Sequence, residues 1–519
     1  MPISFQRWSF VRKIGVAMLL VTVAQWLFYG QEIGSTLGGF GLIWCVGMVA
    51  AVPAVRRLAP ASALGFAALI ALMLIDDPNP LGWTLFWTAV STAALLPRHR
   101  FDDAATWGVR LISYAGFGLL SPVRDLRKLM RQRSTGGVSG SSIVALLALP
   151  LIGGTLFFLL FAVANPVIGS AISAVSPPSF WDALFHLLFW SVVLAGVWPS
   201  LRPRAARITN GLVRESERVI DLPVATLVLS LVAFNAVFAL QNILDIVFLW
   251  NGAALPEGVT LAEYAHRGAY TLIATALIAG AFVLIALAPG AKAAQSSSVR
   301  RLLVFWIAQN ILLVASSILR LIDYIAAYSL TELRIAALAW MGLVATGLAF
   351  ICWRLLSARS AAWLVNANAI SAGIVLLAIT IVDLGAVAAR WNVDHARRAD
   401  QLDLCYLNVL GASALLPLID LERRAGGPAL RDRARYLRRE IQQAVAVQQS
   451  DWHSWTWRDA RRLAAARALV GRDALPVKPA PFGRDCAGAI QPPPPPLAET
   501  APAPAAPLPV TNLTDAVAQ

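Results

Sequence analysis

Eleven mostly apolar runs, each near the length of a membrane-crossing helix, constrain this chain of 519 residues more than any other feature. A helix of about 20 apolar residues crosses the hydrocarbon core of a bilayer. The chain is 58% hydrophobic and only 14% charged, whereas soluble domains carry about 25% charged residues. The sequence predicts an all-α, polytopic helical membrane protein with about 11 transmembrane helices. The predicted spans are Ile14–Tyr29, Ile33–Val52, Ala59–Ile75, Leu81–Leu96, Ser142–Val163, Ala183–Val197, Leu222–Trp250, Ala269–Ala288, Leu302–Ile322, Leu333–Leu356 and Leu364–Ala389.

The charged residues between the runs predict five regions. These are an N-terminal four-helix membrane region (1–100), a cytoplasmic amphipathic helix with a basic loop (101–141), a membrane core of about seven helices (142–389), a small C-terminal helical domain outside the membrane (390–473), and a disordered tail rich in Pro and Ala (474–519). The segment Thr106–Leu120 is ambiguous because it is short, contains Arg110 and has basic flanks. We interpret it as a helix lying on the cytoplasmic surface, with a true span as the alternative.

Positive charges set the predicted orientation. Basic residues precede the first span and recur in every second connection, whereas Asp76 and Asp77 fall in an intervening one. The positive-inside rule therefore places the N-terminus in the cytoplasm and the region after Ala389 outside it. That region is itself basic, but a segment of about 130 residues crosses a membrane largely regardless of charge.

The C-terminal region has an amphipathic pattern. Leu430, Leu437, Ile441 and Val445 recur at helical spacing, and another helix is expected from Ser454 to Val470. Cys405 and Cys486 lie in this region and could form a disulfide bond if it is exported. The four cysteines show no metal-ligand spacing and no Gly-rich phosphate loop follows a strand, so we expect no metal site and no cofactor.

Two polar motifs stand where long apolar runs begin. The first is Leu261-Ala-Glu-Tyr-Ala-His-Arg-Gly268, and the second is Tyr328-Ser-Leu-Thr-Glu-Leu-Arg334. Thr260 with Glu263, and Ser329 with Glu332, have the spacing of a helix capping box, and Glu263 and Arg267 form an i,i+4 pair. Helix initiation explains these residues, but it requires neither His266 nor Arg334.

Polar side chains also follow one face of the run Leu302–Ile322. Gln309, Ser316, Arg320 and Asp323 fall within about 60° of one another around a helix. Asn235 and Asn242 share a face of an earlier run. Such residues either hydrogen-bond between helices or line a polar cavity. The predicted topology places nine charged residues and one histidine at the outer face, where they form a candidate polar site: Asp245, Glu263, His266, Arg267, Arg320, Asp323, Glu332, Arg334, Asp383 and Arg390.

The motifs in this order resemble an uncharacterised family of bacterial multi-pass membrane proteins, a domain of unknown function. The resemblance rests on Asn165-Pro166, the Ala-Glu-Tyr-Ala-His-Arg-Gly and Leu-Thr-Glu-Leu-Arg motifs, Arg390-Trp-Asn392 and Leu402-Asp-Leu-Cys-Tyr-Leu407. It covers roughly residues 165 to 457. It implies a location in the bacterial inner membrane and supplies no catalytic residue.

Three functions fit these observations. The first is a non-enzymatic envelope protein, sensory or partner-binding, with a site on its outer face. The second is a transporter with a polar path between helices, and the third is a transferase that acts on a lipid-linked substrate with His266 or a carboxylate as base. The expected partners are the lipid bilayer and an envelope protein or lipid-linked ligand. The net charge of +14 is explained by membrane anchoring, so nucleic acid is not expected.

Overall fold

A computed structural model describes residues 2–119, 121–122, 124–125, 180–203, 223–250, 296–357, 359–396, 402–471 and 476–493. The regular elements of these residues are helices. The first ten are α1 Pro2–Phe28, α2 Thr36–Ala51, α3 Leu58–Asp76, α4 Pro80–Leu95, α5 Ala104–Gly118, α6 Phe180–Leu201, α7 Val224–Asp245, α8 Ser297–Tyr328, α9 Glu332–Ser357 and α10 Ala361–Ile381. They are followed by α11 Leu384–His395, α12 Leu404–Val409, α13 Leu415–Arg424, α14 Pro428–Gln448 and α15 Trp457–Val470.

Seven helices of the described residues are long and apolar enough to cross a membrane. They lie in α1, α3 and α6 to α10. The predicted count of about 11 is therefore not reached among these residues. The predicted spans Ser142–Val163 and Ala269–Ala288 lie outside them. At the predicted spans Ile33–Val52 and Leu81–Leu96, the helices α2 and α4 have only 16 residues each, a length of about 24 Å.

Prolines explain two of these short boundaries. Pro53 follows α2 almost directly, and a residue before proline disfavours the helical conformation. Pro80 is the first residue of α4, where its missing N–H costs nothing, and the side chain of Asn79 accepts a hydrogen bond from the N–H of Gly82. Each helix therefore starts or stops where the local chemistry requires.

The last predicted span, Leu364–Ala389, is corrected by the structure. Helix α10 ends at Ile381, and α11 begins after Asp383. The Asp383 carboxylate accepts a hydrogen bond from the N–H of Ala386, so it caps α11 instead of belonging to the span. A change in chain direction at this cap leads into the C-terminal region.

Hydrophobic packing separates the described residues into three main cores. The first joins α1 to α4 with α6 around Trp44, Phe86 and Met48. The second joins α7 to α10 around Trp306 and Leu303. The third lies among α11 to α15 and belongs to the C-terminal helices. Apolar side chains on the outside of the first two cores remain exposed, as expected for helices that face lipid.

Helix α5 contains most of the ambiguous segment Thr106–Leu120. It is 15 residues long, and its N-terminus is capped by Asp103, whose carboxylate accepts from the N–H of Thr106. Trp107 and Tyr114 are buried beside Leu95 of α4. The side chain of Asn366, near the start of α10, accepts a hydrogen bond from the N–H of Ala104. Helix α5 thus rests against the ends of the membrane helices opposite to the C-terminal helices.

The C-terminal helices form a compact unit on one end of the membrane helices. Helices α14 and α15 match the expected amphipathic segments, and Leu437, Ile441 and Val445 are buried as their spacing predicts. Between α11 and α14 the chain forms α12, a 3₁₀ turn at Gly411–Ala414 and α13. A disulfide bond joins Cys405 of α12 to Cys486, which ties the segment 476–493 across the unit.

Candidate functional site

The predicted site residues that the structure describes do not form one cluster. Glu263, His266 and Arg267, together with Thr260 and Asn165-Pro166, lie outside the described residues, so the predicted base and the first motif stay predictions. Six of the other seven separate into a buried pair between α7 and α8, a group around the starts of α9 and α11, and a surface network on the C-terminal unit. The seventh, Asp323, is exposed near the end of α8.

Asp245 and Arg320 form a buried ion pair between two membrane helices. The side chain of Asp245, at the end of α7, is 0% exposed, and that of Arg320 in α8 is 6% exposed. Gln241 also donates to the Asp245 carboxylate, over 2.9 Å. A charge in this position is costly unless it is paired and hydrogen-bonded. The pair therefore fixes α7 against α8 inside the helix bundle.

A line of amides continues from this pair toward the middle of the same two helices. Asn235 donates to the carbonyls of Leu231 and Leu302, and accepts from Gln309 over 2.7 Å. The side-chain amide of Asn242 donates to the backbone carbonyl oxygen of Gln309 over 3.3 Å. Because the Asn235 and Asn242 amide nitrogens face carbonyl oxygens, which only accept, the orientation of all three amides is determined.

Within the described ranges, two oxygen atoms of this line have no hydrogen-bond partner. They are Oδ1 of Asn242 and Oε1 of Gln309, both on buried side chains. Buried acceptors are rarely left unsatisfied, because desolvating them costs free energy. Nearby, the chain widens into a single π-helical stretch, Ile246–Trp250, and the indole N–H of Trp250 donates to Ser316 over 3.1 Å. Together these residues make a polar track inside the bundle with unused acceptor capacity.

Asp323 does not join this track. The predicted stripe contained Gln309, Ser316, Arg320 and Asp323. The first three are buried between helices, whereas Asp323 is exposed. It lies five residues before the end of α8, beside Ile322, which is exposed as well. The position of a residue along a span therefore decides its environment as much as the face that it occupies.

Glu332 and Arg334 organise the turn between α8 and α9. The N–H of Glu332 donates to the hydroxyl of Tyr406, and Arg334 donates to the carbonyls of Tyr328 and Ser329. The capping box predicted for Ser329 is not formed. The hydroxyl of Thr331 accepts from the N–H of Arg334 instead, and Ser329 adopts a φ of 71° that turns the chain.

The second motif thus has a structural role in addition to starting a helix. The backbone of Leu330 exchanges two hydrogen bonds with the side chain of Asn392 in α11, at 2.6 and 2.9 Å. Tyr406 of the C-terminal unit holds the next turn of chain. The Leu-Thr-Glu-Leu-Arg sequence is therefore a contact between membrane helices and the C-terminal unit.

Arg390 lies in an exposed charge network. It pairs with Asp394 at 2.7 Å and with Asp420 at 3.4 Å, and Arg424 pairs with the same two carboxylates. The hydrogen bond from Arg424 lowers the pKa of the Asp394 carboxyl. This network joins α11 to α13 and balances two arginines with two carboxylates.

Asp383 is fully engaged by its neighbours. Besides capping α11, its carboxylate accepts from the hydroxyl of Ser413 and pairs with Arg462 of α15. Close packing surrounds it, because a Cβ on Gly385 would lie 2.8 Å from a carboxylate oxygen of Glu332. Asp383 therefore connects the end of the last membrane helix to the C-terminal unit.

The arginines of α15 extend this connection into a clamp, which consists of Arg458, Arg461 and Arg462 on the carboxylates of Asp76, Asp77 and Asp383. Arg458 donates to Asp76 at 2.9 Å, to Asp77 at 2.8 Å and to the carbonyl of Ile381 at 2.9 Å. Arg461 adds a second bond to Asp76, at 2.6 Å. One short helix thus holds the ends of α3 and α10 together.

Tight backbone contact supports the clamp. The N–H of Ser35 donates to the carbonyl of Trp455 at 2.7 Å, and Gly34 lies so close to the C-terminal unit that a Cβ would clash with the carbonyl of Trp455. The rings of Trp26 and Trp452 are 4.9 Å apart. The loop before α15 therefore packs on the connection between α1 and α2.

Burial shifts the pKa values of clamp residues and of the neighbouring Asp459. Burial raises the pKa of the Asp77 carboxyl, although the charge of Arg458 opposes the rise. Burial also raises the pKa of Asp459 and lowers the pKa of the Arg462 guanidinium. Forming the clamp removes these groups from water, so its net stability is smaller than its number of ion pairs suggests.

The clamp arginines were missed in the sequence. Asp76 and Asp77 were used only for orientation, and the arginines of α15 were given no role. An Arg-x-x-Arg-Arg spacing on one helix face, in a chain that also has paired aspartates after a span, was the available signal. In the part of the chain that the structure describes, no three His, Cys, Asp or Glu side chains come together as ligands for a metal ion.

Comparison with known proteins identifies one family. No curated protein and no solved structure matches it. A family model described as a domain of unknown function, DUF4153, matches residues 40–421. The match begins well before residue 165, where the resemblance was expected to start, and ends before α14 and α15. Because it covers more than half of the chain, the protein belongs to the DUF4153 family of domains of unknown function.

Proposed function

We propose that this chain is a non-enzymatic envelope protein of the bacterial inner membrane, whose C-terminal domain lies outside the cytoplasm, binds a partner and transmits that binding to the membrane helices. The observation that carries the proposal is the arginine clamp of α15 on Asp76, Asp77 and Asp383. A domain that only needed a tether would require no such contact with several helix ends.

The location of the domain is supported by two independent features. Disulfide bonds persist in oxidising compartments such as the periplasm, and Cys405 and Cys486 are bonded. The ends of α1, α3, α8 and α10 meet at the C-terminal domain, and the charge pattern assigns these same ends to the outer side. An outward-facing domain satisfies both features.

The clamp transmits partner binding because it contacts the ends of more than one membrane helix. Arg458 contacts α3 through Asp76 and Asp77 and contacts α10 through Ile381, so a shift of α15 moves the ends of two membrane helices. Contacts between domains that are polar and of moderate size are compatible with relative movement. The surface charge network of Arg390 and Arg424 lies on the same domain. Partner binding on that domain is thereby coupled to the bundle.

The location is tested with reporter fusions after Arg472. A periplasm-active reporter is expected to be active there and a cytoplasm-active reporter silent. Thiol labelling of intact cells gives a second measurement, because Cys405 and Cys486 should resist alkylation until a reductant is added. Activity of only the cytoplasmic reporter would contradict the proposed location.

The function is tested by complementation of a deletion strain, with its lipid and metabolite profile as the readout. We expect the wild-type chain to restore the profile. A chain that lacks residues 402–493, and a chain with Arg458→Gln, should both insert in the membrane but fail to restore it. Full restoration by the truncated chain would refute a role for the C-terminal domain.

A transporter is the second candidate, and the unsatisfied oxygens of Asn242 and Gln309 support it. A solute that donates hydrogen bonds to these oxygens, or a cation that they coordinate, would pass along the polar track next to Asp245 and Arg320. If transport is the function, Asn242→Leu with Gln309→Met should reproduce the metabolite profile of the deletion strain, whereas Arg458→Gln should leave that profile unchanged. The opposite result favours the partner-binding protein.

A further inference from the structure

Three basic side chains converge at the end of the bundle opposite to the C-terminal domain. Lys13 belongs to α1, Arg98 follows α4, and Arg202 follows α6. The first core packs these three helices together. The rings of Phe10 and Trp198 lie 6.1 Å apart, and the guanidinium of Arg202 lies 5.1 Å from the centre of the Phe10 ring. The ends of α1 and α6 are thus fixed beside each other.

The cations are close enough to repel one another. Arg202 and Arg98 both act electrostatically on Lys13, and Arg202 also acts on Arg98. Ordinary positive-inside charges can spread along flexible loops and avoid such repulsion. Here three separate helices bring the charges to one place, and their packing prevents them from separating.

Negative charge at this place is insufficient. Asp125 pairs with Arg202 at 3.1 Å, and its other oxygen accepts from the indole of Trp198 at 3.0 Å. Among the described residues, Lys13 and Arg98 form neither an ion pair nor a side-chain hydrogen bond. Among the described residues, one carboxylate therefore faces Lys13, Arg98 and Arg202, and the site has the charge and the donors to bind an anion with several oxygens.

The site opens toward the hydrocarbon. Val11, Ile14 and Met18 are exposed on α1 beside Lys13 and along the turns that follow it. On α6, Leu188 and Val192 are exposed in the same way. An anion that also carries acyl chains would place its head group at the cations and its chains along these side chains. Basic sites between transmembrane helices at the cytoplasmic surface suit the head groups of anionic lipids.

We propose that Lys13, Arg98 and Arg202 form a binding site for a phosphate group that is presented by an anionic phospholipid. The site is independent of the C-terminal domain and of the function proposed for it. Its role is to hold α1, α4 and α6 together by neutralising the charges that their packing brings close.

The test measures the thermal midpoint of the purified full-length protein in a neutral detergent. The added probes are cardiolipin, phosphatidylethanolamine, which has no net charge, and inorganic phosphate. Cardiolipin should raise the midpoint of the wild type, and the other two should have little effect. In Lys13→Gln/Arg98→Gln, at least tenfold more cardiolipin should be needed for the same rise.

Two further variants separate a site from general charge. Arg57→Gln/Arg359→Gln removes the same charge from exposed arginines at the same end of the bundle and should respond like the wild type. Lys13→Arg/Arg98→Lys keeps the charge and should retain the cardiolipin response, which shows that the positions tolerate substitution.

Each contrary result is informative. An equal loss of response in Arg57→Gln/Arg359→Gln, or no loss in Lys13→Gln/Arg98→Gln, would overturn the site. A rise with inorganic phosphate that equals the rise with cardiolipin would overturn the lipid as the source of the phosphate.

Discussion

Replacing Arg458 by Gln is expected to release the C-terminal domain from the membrane helices. The Arg458 side chain is only 12% exposed and makes three hydrogen bonds, to Asp76, Asp77 and the carbonyl of Ile381. A hydrogen bond to a charged group contributes about 1.5–3 kcal/mol when buried. Because the two carboxylates are 30% and 40% exposed, solvent screening reduces their share. We expect a loss of about 3 kcal/mol in the free energy of docking.

Hydrogen–deuterium exchange of the full-length protein in nanodiscs measures this loss. The Ser35 amide donates to the Trp455 carbonyl at 2.7 Å, so it is protected only while the domain is docked. A loss of about 3 kcal/mol corresponds to a decrease in protection of roughly a hundredfold. The Cys405–Cys486 bond should still form, which shows that the domain remains folded.

Two other arginines of α15 are matched controls. Arg461 is 63% exposed and, of the described residues, bonds only to Asp76, so Arg461→Gln should cost about 0.2–1 kcal/mol. Arg467 is exposed on the same helix and forms no ion pair among the described residues, so Arg467→Gln should leave Ser35 protection unchanged. If Arg458→Gln does not reduce protection, or if Arg467→Gln reduces it equally, the clamp does not hold the domain.

Other substitutions test packing, charge burial and pH dependence. Gly34→Ala should undock the domain because its Cβ would clash with backbone carbonyls, whereas Gly39→Ala meets open space and should keep Ser35 protected in the same exchange measurement. Arg320→Met leaves the buried Asp245 carboxylate without the Arg320 guanidinium, so it should lower the free energy of unfolding in detergent by about 3–5 kcal/mol. The double variant Asp245→Leu/Arg320→Met should recover stability, and equal stability of the single and double variants would refute the ion pair. Since the pKa of Asp394 is lowered in the folded state, its stabilisation is present above the ordinary carboxyl pKa and is lost as the pH falls through the lowered one. Asp394→Asn should therefore lower the thermal midpoint at neutral pH, and the midpoint of this variant should fall less than that of the wild type as the pH is lowered. Midpoints of variant and wild type that fall in parallel would contradict the role of Asp394.

Sequence patterns predicted the environment of residues where one helix face decided it. Gln309 and Ser316 were expected to avoid lipid, and both are buried against neighbouring helices. Asp323 shares their face but is exposed near the end of α8. Asp383 was assigned to a span and instead caps the next helix. Periodicity reports the face of a helix, but it does not report where the neighbouring helices end.

The sequence by itself determined the membrane class of the fold, the positions of most long helices, the amphipathic helices α14 and α15, and the possibility of a Cys405–Cys486 bond. These follow from local composition and helical period, which depend on residues close together in the chain. The tertiary structure alone decided that Asp383 pairs with Arg462, that Asp76 meets Arg458, and that Lys13 and Arg202 share one place. Each of these pairs joins residues that are separated by about 80 to 380 positions in the chain. Neither an ion pair nor a meeting of like charges has a periodic signature, because any carboxylate can satisfy any guanidinium.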